Sequence, residues 1–152
     1  MPLLNDKEIG IRRMEAEDID HLVQLWYTVS IKAHHFISPD YWHGAKEKMR
    51  SEYLPGSETY VARIDNQIVG FVSMLDAYLA AIFINPSMQG QGVGGRLMDH
   101  VKRSRQTIQL KVYKKNESGI RFYQNNGFHA ISEHLDQETE EIEILMEWRK
   151  HP

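Results

Sequence analysis

The segment Gln89–Gly95 reads QGQGVGG, so four of its seven residues are glycines. It follows an apolar run and leads into a segment whose apolar residues recur at helical spacing. Glycine lets a backbone approach a ligand without obstruction by a Cβ atom. The first N–H groups of a helix have no partners within that helix, and the helix dipole places partial positive charge there. The segment therefore predicts a diphosphate site, although a glycine turn or close helix packing would use the same residues.

Two other glycine-loop families fit this segment less well. A P-loop ends in Gly-Lys-Ser/Thr, whereas Gly95 is followed here by Arg96. The letters Gly90-x-Gly92-x-x-Gly95 match the dinucleotide pattern, but that pattern belongs to a parallel βαβ unit with an acidic residue at the end of the next strand. This loop comes late in the chain after a predicted hairpin, and no acidic residue ends the predicted strand Ile108–Tyr113. The context therefore disfavours a nicotinamide site.

The remaining sequence predicts the elements that position this loop. Ser38 and Pro39 indicate a helix start, Asp65–Asn66 indicates a hairpin turn, and Gly127 indicates the end of a helix. Apolar spacing then predicts, in order, strand Ile9–Arg13, helix Asp18–Ile31, a helix from Ser38 to near Tyr53, strands Thr59–Ile64, Gln67–Met74 and Tyr78–Ile84, a helix from about Gly92 to Arg105, strand Ile108–Tyr113, helix Glu117–Asn125, and strands His129–Leu135 and Glu141–Trp148. This order predicts the α/β (α+β) class, with a mixed, mostly antiparallel central sheet flanked by about four helices in a single domain over residues 1–152.

The composition argues against several function classes. Eighteen Lys and Arg stand against 21 Asp and Glu, and the net charge of -3 disfavours a nucleic-acid partner. The absence of cysteine excludes disulfides, thiol catalysis and Cys-based zinc sites, and no metal site is predicted. No apolar stretch approaches the roughly 18 residues of a membrane span, and residues 1–13 lack the apolar core of a signal peptide. We expect a soluble cytoplasmic protein without a membrane partner, either a monomer or a homodimer.

Residues in and beyond the loop resemble two motifs of the GNAT family of N-acetyltransferases. The pattern Q-x-x-G-x-G in Gln89–Gly94, preceded by Ile82–Pro86, is similar to the family's acyl-CoA signature. Lys115–Asn116, followed by Gly119–Tyr123 and Asn126–Phe128, is similar to its second motif. The resemblance covers essentially the whole chain and points to a small bacterial branch. It implies that the strand before the loop splays from its neighbour and that the donor, acetyl-CoA, lies in the gap.

The resemblance also implies which residues contact acetyl-CoA. The backbone of the splayed strand would bind the pantetheine arm, the loop amides would bind the diphosphate, and Asn116 would cap a helix while ordering the site. The implied donor-binding residues are Phe83, Ile84, Gln89, Gly90, Gln91, Gly92, Val93, Gly94, Gly95, Arg96 and Asn116.

Tyr123 is the residue in the second motif that the resemblance assigns to catalysis. Acetyl transfer from a thioester expels a thiolate, which leaves more readily when a proton donor is close. A tyrosine with a pKa of about 10 keeps its proton at neutral pH. Tyr123 lies seven residues after Asn116, about two turns into the predicted helix. Core packing is the structural alternative for this side chain.

The group that accepts a proton from the amine is less defined. Many members of the family carry a glutamate on the strand before the loop, but Tyr78–Ile84 has no carboxylate. The candidates are Tyr78, His34, His35, Asp76 or a water that they order. His34 matches a motif of the bacterial branch, and imidazole titrates near neutral pH. We expect Tyr78 and His34 to act together with the catalytic tyrosine.

The sequence as a whole predicts an acetyl-CoA-dependent N-acetyltransferase that acts on a primary amine by direct attack in a ternary complex. The resemblance favours a protein lysine as acceptor, while a small amine or a peptide N-terminus stays open. Tyr41 and Trp42 are candidates for the wall of the acceptor pocket, and the acidic run Glu138–Glu143 is interpreted as a solvated hairpin. The alternative from another class is a non-catalytic regulatory module that binds acyl-CoA.

Overall fold

Seven strands form one mixed sheet in the computed structural model, which describes residues 8–151. The strands are β1 Gly10–Arg13, β2 Glu58–Ile64, β3 Gln67–Leu75, β4 Tyr78–Ile84, β5 Thr107–Tyr113, β6 His129–Asp136 and β7 Glu141–Arg149. They lie in the order β1-β2-β3-β4-β5-β7-β6, and every neighbouring pair is antiparallel except β4 and β5. This confirms the predicted fold class. Residues 1–7, on which the expectation about a signal peptide partly depends, lie outside the described residues.

Four α-helices flank the sheet within residues 8–151. They are α1 Ile19–Ala33, α2 Pro39–Lys48, α3 Val93–Lys102 and α4 Glu117–Asn125. The predicted caps are confirmed, because Ser38 accepts the Asp40 N–H at 3.2 Å and Asn116 accepts the Gly119 N–H at 3.1 Å. Gly127 follows α4 with a φ of +88°, as predicted for a residue that ends a helix. No helix in this described part of the chain is long and apolar enough to cross a membrane.

The second helix, the third helix and β4 are among the elements that differ in detail from the sequence prediction. The second helix does not run regularly to Tyr53 but continues from α2 into a π-helical turn, Met49–Tyr53. The third helix ends at Lys102 rather than Arg105, because the Arg105 guanidinium folds back and donates to the Val101 carbonyl at 2.9 Å. In β4, Ala80 is an extra residue between two paired neighbours and forms a β-bulge.

Two apolar clusters hold the sheet, one on each face. Side chains of a strand alternate between the two faces, and neighbouring residues such as Phe71 and Val72 of β3 accordingly belong to different clusters. The first cluster packs α3 and α4 against the sheet and includes Val72, Leu97, Met98, Ile108, Leu110 and Val112. The second packs α1 and α2 against the other face and includes Leu22, Val23, Trp26, Leu54, Val61 and Phe71. The sheet is therefore covered by helices on both faces.

β4 and β5 are paired at one end only. Tyr78 pairs with Gln109, and the Gln109 N–H donates to the Ala77 carbonyl at 2.9 Å. Beyond this pair the two strands diverge, whereas β5 pairs with β7 along its whole length. The rest of the β4 edge that faces β5 therefore lacks a strand partner, which confirms the splayed strands that the resemblance implies.

Close packing between α3 and α4 depends on Gly94. A Cβ atom at this position would lie 2.8 Å from Cε1 and 3.0 Å from Cζ of Phe122. At the next residue, Gly95, a Cβ atom would have no neighbour within 4 Å. The two adjacent glycines therefore differ, because only the first is required by helix packing.

We expect Gly94→Ala to lower the free energy of unfolding by about 1–3 kcal/mol, because the new methyl group forces Phe122 or α3 to shift. The matched variant Gly95→Ala adds the same methyl group to open space, and we expect it to leave stability unchanged or to raise it by up to about 1 kcal/mol. Urea unfolding of the ligand-free proteins measures both values. Equal stability of the two variants would contradict the assigned packing role.

Candidate active site

A cavity of about 630 Å³ occupies the gap between β4 and β5 and reaches the N-terminus of α3. The predicted site residues that line it are His34, Tyr78, Phe83, Ile84, Gln89, Gly90, Gly92, Val93, Gly94, Gly95, Asn116 and Tyr123. Gln91 and Arg96 belong to the same loop and helix but are not among the lining residues. The structure thus brings both sequence motifs to one cavity.

The glycine loop delivers the start of α3 to this cavity. Gly90 and Gly92 have φ values of +82° and +88°, in the left-handed region that glycine adopts without strain. Gly92 has no side chain to cap the helix, so no side chain satisfies the first N–H groups of α3. Beside them, the Gln89 side-chain amide donates to the Ile84 carbonyl at 3.4 Å. The free amides and the helix dipole together make this end of the cavity suited to an anion.

Tyr123 lines the cavity from α4. Its ring meets those of Phe122 and Phe128 edge to face, with centroid distances of 5.4 and 5.9 Å. Burial raises the pKa of Tyr123 above its ordinary value, and Tyr78 raises it further. The hydroxyl therefore holds its proton at neutral pH, as a proton donor must.

Tyr78 lies at the apex of the gap, at the pair where β4 and β5 begin to part. Burial raises the pKa of its hydroxyl, and the charge of Glu143 raises it further. Tyr78 consequently stays protonated at neutral pH. The structure therefore offers it as a hydrogen-bond donor more readily than as a base.

His34 lines the cavity from the C-terminal end of α1, within a cage of aromatic rings. It stacks on Trp42 at 5.0 Å and meets Tyr113 and Phe36 edge to face at 5.2 and 5.9 Å. Burial lowers the pKa of His34 to about 4, so the imidazole is neutral at pH 7 and is a weak base. Nδ1 of His34 and Nε1 of Trp42 are buried without a hydrogen-bond partner among the described residues.

His35 and Asp76, the other two candidates for the base, do not line the cavity. His35 is exposed beyond the end of α1, and Asp76 is exposed in the turn between β3 and β4. Lys114 and Lys115 form surface ion pairs with Glu133 at 3.1 Å and Glu141 at 3.2 Å. Within residues 8–151 no group of three or more His, Asp or Glu side chains is arranged to hold a metal ion.

Glu143 is the site residue that the sequence did not indicate. It lies on β7 opposite Tyr113 of β5, and it is the one Asp or Glu among the described residues that line the cavity. Burial raises the pKa of its carboxyl, and Asp136 raises it further, while Lys111 and His134 oppose the shift. The acidic run that reads as a solvated hairpin therefore sends one carboxylate into the site. The alternation of charged and apolar residues in EIEIL could have indicated this position, because it predicts that Glu143 lies on the opposite face of the strand from the isoleucines.

A second cavity, of about 590 Å³, adjoins the first on the side of α2 and the π-helical turn. The two cavities share lining residues Trp26, Trp42, Ala80 and Ala81. The remaining wall of the second cavity includes Tyr41, Lys48, Met49, Glu52, Tyr53 and Glu138. Trp26 and Trp42 are 8% and 7% exposed, so both belong to the core while they line the cavities.

The entrance of the second cavity carries a tyrosine paired with a carboxylate. The Tyr41 hydroxyl donates to Glu138 Oε2 at 3.1 Å. Burial raises the pKa of Tyr41 to about 12, and the bond to Glu138 contributes to the shift. Glu138 and Glu52 set two negative charges against the single positive charge of Lys48. The predicted acceptor-side residues Tyr41 and Trp42 both lie on this wall.

Curated relatives of the chain are named as lysine acetyltransferases. It is 32% identical to the peptidyl-lysine N-acetyltransferase YiaC of Escherichia coli K12 over 139 residues, which cover 91% of this chain and 95% of YiaC. It is 32% identical to the peptidyl-lysine N-acetyltransferase YjaB of the same organism over 121 residues, which cover 79% of this chain and 82% of YjaB.

Solved structures show the same fold. The solution structure of apo YjaB from Escherichia coli matches with a TM-score of 0.83 and 28% identity, over 93% of this chain and 97% of that one. The crystal structure of the PaiA N-acetyltransferase from Thermoplasma acidophilum, in complex with coenzyme A, matches with a TM-score of 0.79 and 20% identity, over 94% of this chain and 99% of that one.

The acetyltransferase (GNAT) domain family matches residues 55–130, a span that includes the glycine loop and the second motif with Tyr123. This match and the relatives agree with the splayed sheet and with the cavity between its strands. The chain therefore belongs to the GNAT family of N-acetyltransferases.

Proposed function

We propose that this acetyltransferase uses acetyl-CoA as donor and the side-chain amine of a protein lysine as acceptor. The observation that carries the proposal is that one cavity joins the free N-terminus of α3, the open edge of β4 and Tyr123. The names of YiaC and YjaB support lysine as acceptor, and the coenzyme A bound to PaiA supports the donor.

The residues that line the first cavity fit acetyl-CoA. The loop amides up to Gly95 present N–H groups and the positive end of α3 to a diphosphate. The open edge of β4 at Phe83 and Ile84 offers backbone groups to the two amides of the pantetheine arm, as an added strand would use them. Asn116 fixes the start of α4 and lines the same cavity. Contacts from Gln91 and Arg96 stay predictions.

Tyr123 is proposed to protonate the departing thiolate. The C–S bond of the thioester breaks with its electron pair on sulfur, and a positioned hydroxyl lowers the barrier by supplying a proton there. The raised pKa of Tyr123 keeps this proton in place until sulfur becomes basic. Tyr78 and His34 complete the proposed catalytic set as groups that are neutral at pH 7, able to hydrogen-bond the reacting amine or a water.

The second cavity is proposed to admit the acceptor. It meets the first at Ala80 and Trp42, so donor and acceptor can be bound at the same time. Its aromatic wall suits the methylene chain of lysine, and Glu52 and Glu138 attract the ammonium group toward the entrance. Two adjoining cavities favour direct attack in a ternary complex, and the chain has no cysteine that could carry the acetyl group. Because the chain belongs to a family of acetyltransferases, the non-catalytic alternative is set aside.

We expect Tyr123→Phe to lower kcat by about 10²–10³-fold, because the variant lacks the proton donor while keeping the ring that packs against Phe128. Calorimetry should show an unchanged Kd for coenzyme A. The matched control is Tyr60→Phe, which removes a hydroxyl bonded to Glu58 on β2 outside both cavities and should leave kcat unchanged. Wild-type turnover by Tyr123→Phe would remove Tyr123 from the mechanism.

We expect Gly95→Asp to raise the Kd for coenzyme A at least about tenfold, which corresponds to ~1.4 kcal/mol, because it places a carboxylate where the diphosphate is proposed to bind. The same carboxylate in the first turn of α3 interacts favourably with the helix dipole, so the ligand-free protein should not lose stability. Gly95→Ala tests the added Cβ atom without the charge. Equal coenzyme A affinity in all three proteins, measured by calorimetry, would place the diphosphate elsewhere.

We expect Glu138→Gln to raise KM for a lysine peptide by about two- to fivefold at low salt without changing kcat, because the entrance loses a negative charge. The difference should shrink as salt screens the remaining charges. The control is Glu133→Gln. It removes a surface carboxylate on β6 that pairs with Lys114. A KM that does not respond to Glu138→Gln at low salt would argue against entry of a cationic acceptor through this cavity.

A further inference from the structure

We propose that Glu143 is the general base of the acetyl transfer and that β7, rather than the strand before the glycine loop, supplies the carboxylate. This inference rests on the proposed function, since it concerns the amine that attacks the thioester.

The strand register places Glu143 on the acceptor side of the gap. Glu143 pairs with Tyr113, and Tyr78 pairs with Gln109, so all four side chains share one face with Lys111. This is the face that α1 and α2 cover, because Tyr113 belongs to their apolar cluster. The second cavity is also lined by α2, so an amine arriving through it meets Glu143 on the same face.

The proton donor enters the gap from the opposite face. Tyr123 packs with the apolar cluster that joins α3 and α4 to the sheet. A thioester in the gap would therefore have a hydroxyl on one side and a carboxylate on the other. This is the arrangement that acetyl transfer needs, because the amine and the leaving sulfur bond to the carbonyl carbon in different directions.

Glu143 is the carboxylate of its hairpin that lines the first cavity, and it is unpaired. Three neighbours are engaged, since Glu133 binds Lys114 at 3.1 Å, Glu141 binds Lys115 at 3.2 Å and Glu147 accepts from Gln109 at 2.8 Å. Among the described residues, Glu143 has no hydrogen-bond or ion-pair partner. An unpaired carboxylate that lines a cavity is available to a ligand.

The other titratable groups of the first cavity are poorer bases. His34 has a pKa lowered to about 4, and Tyr78, Tyr113 and Tyr123 have raised pKa values and keep their protons. Lys111 is a cation. The titratable groups that face Glu143 are Asp136 and His134 from β6 and Lys111 from β5. Burial and Asp136 raise the pKa of Glu143 more than Lys111 and His134 lower it, so this pKa lies above its ordinary value.

The lysine ammonium first loses one proton to solvent and becomes the neutral amine. The amine nitrogen forms a bond to the thioester carbonyl carbon while one N–H proton passes to the Glu143 carboxylate. The C–S bond then breaks with its electron pair on sulfur, which takes the Tyr123 proton. Glu143 releases its proton to solvent and Tyr123 is reprotonated from solvent, so each lysine ammonium and thioester yields an acetylated lysine, a thiol and one proton.

We expect Glu143→Gln to lower kcat/KM for a lysine peptide by about 10²–10³-fold at pH 7, with an unchanged Kd for coenzyme A. In the wild type, kcat/KM should fall as pH drops through the raised pKa of Glu143, because the base becomes protonated. The variant should lose this limb of the profile. Glu143→Asp should restore part of the rate.

The matched control is Glu147→Gln, the same change four residues along the same strand at a carboxylate outside the cavity, and it should leave kcat/KM unchanged. A readout independent of turnover is carboxyl NMR of the ligand-free protein, in which one glutamate with a raised pKa should vanish from the Glu143→Gln spectrum. Wild-type inactivity on every lysine peptide would defeat the proposed function. An active wild type with a Glu143→Gln variant of equal rate and pH profile, or without the shifted carboxyl resonance, would overturn this inference alone.

Discussion

The divergence of β4 from β5 after a single hydrogen-bonded pair is the constraint on which the rest of the structure depends. Backbone N–H and C=O groups that lie inside a protein without partners cost about 1–3 kcal/mol each, so a parted sheet is unfavourable by itself. Here β5 is held by full pairing with β7, while two apolar clusters hold β4 and β5 from both faces. These contacts keep β4 and β5 separated. The unpaired backbone groups of β4 therefore remain available to a molecule that enters the cavity.

Parting the strands also connects the two faces of the sheet. In an ordinary sheet, side chains from opposite faces are separated by the backbone, but at this gap they line one cavity. Tyr123 reaches it from the face of α3 and α4, and Glu143 from the face of α1 and α2. Partial burial disfavours the charged form of both groups, which suits one to donate a proton and the other to accept one. The proposed chemistry therefore follows from where the sheet opens as much as from which residues are present.

Much of the fold was predictable because its signals are local. Asp65 and Asn66 both adopt positive φ in the turn between β2 and β3, and Asn116 caps α4, so each boundary is encoded within a few residues. The glycine loop before α3 was predictable for the same reason. Glu143 was not, because its position depends on β7 lying between β5 and β6, a long-range choice that the hairpin spacing leaves open. The bulge at Ala80 depends likewise on pairing with β3, and the packing role of Gly94 depends on contact with another helix.

The π-helical turn after α2 forms part of the wall of the second cavity, through Met49, Glu52 and Tyr53. Such a turn differs from a regular α-helix by one inserted residue. Deleting one residue there would restore the regular helix and rotate the following side chains by about 100°, since a helix has 3.6 residues per turn. The sheet and the glycine loop lie elsewhere in the chain and would not change. A single-codon deletion could therefore remodel the wall of the proposed acceptor cavity, while the residues of the proposed donor site are inherited intact.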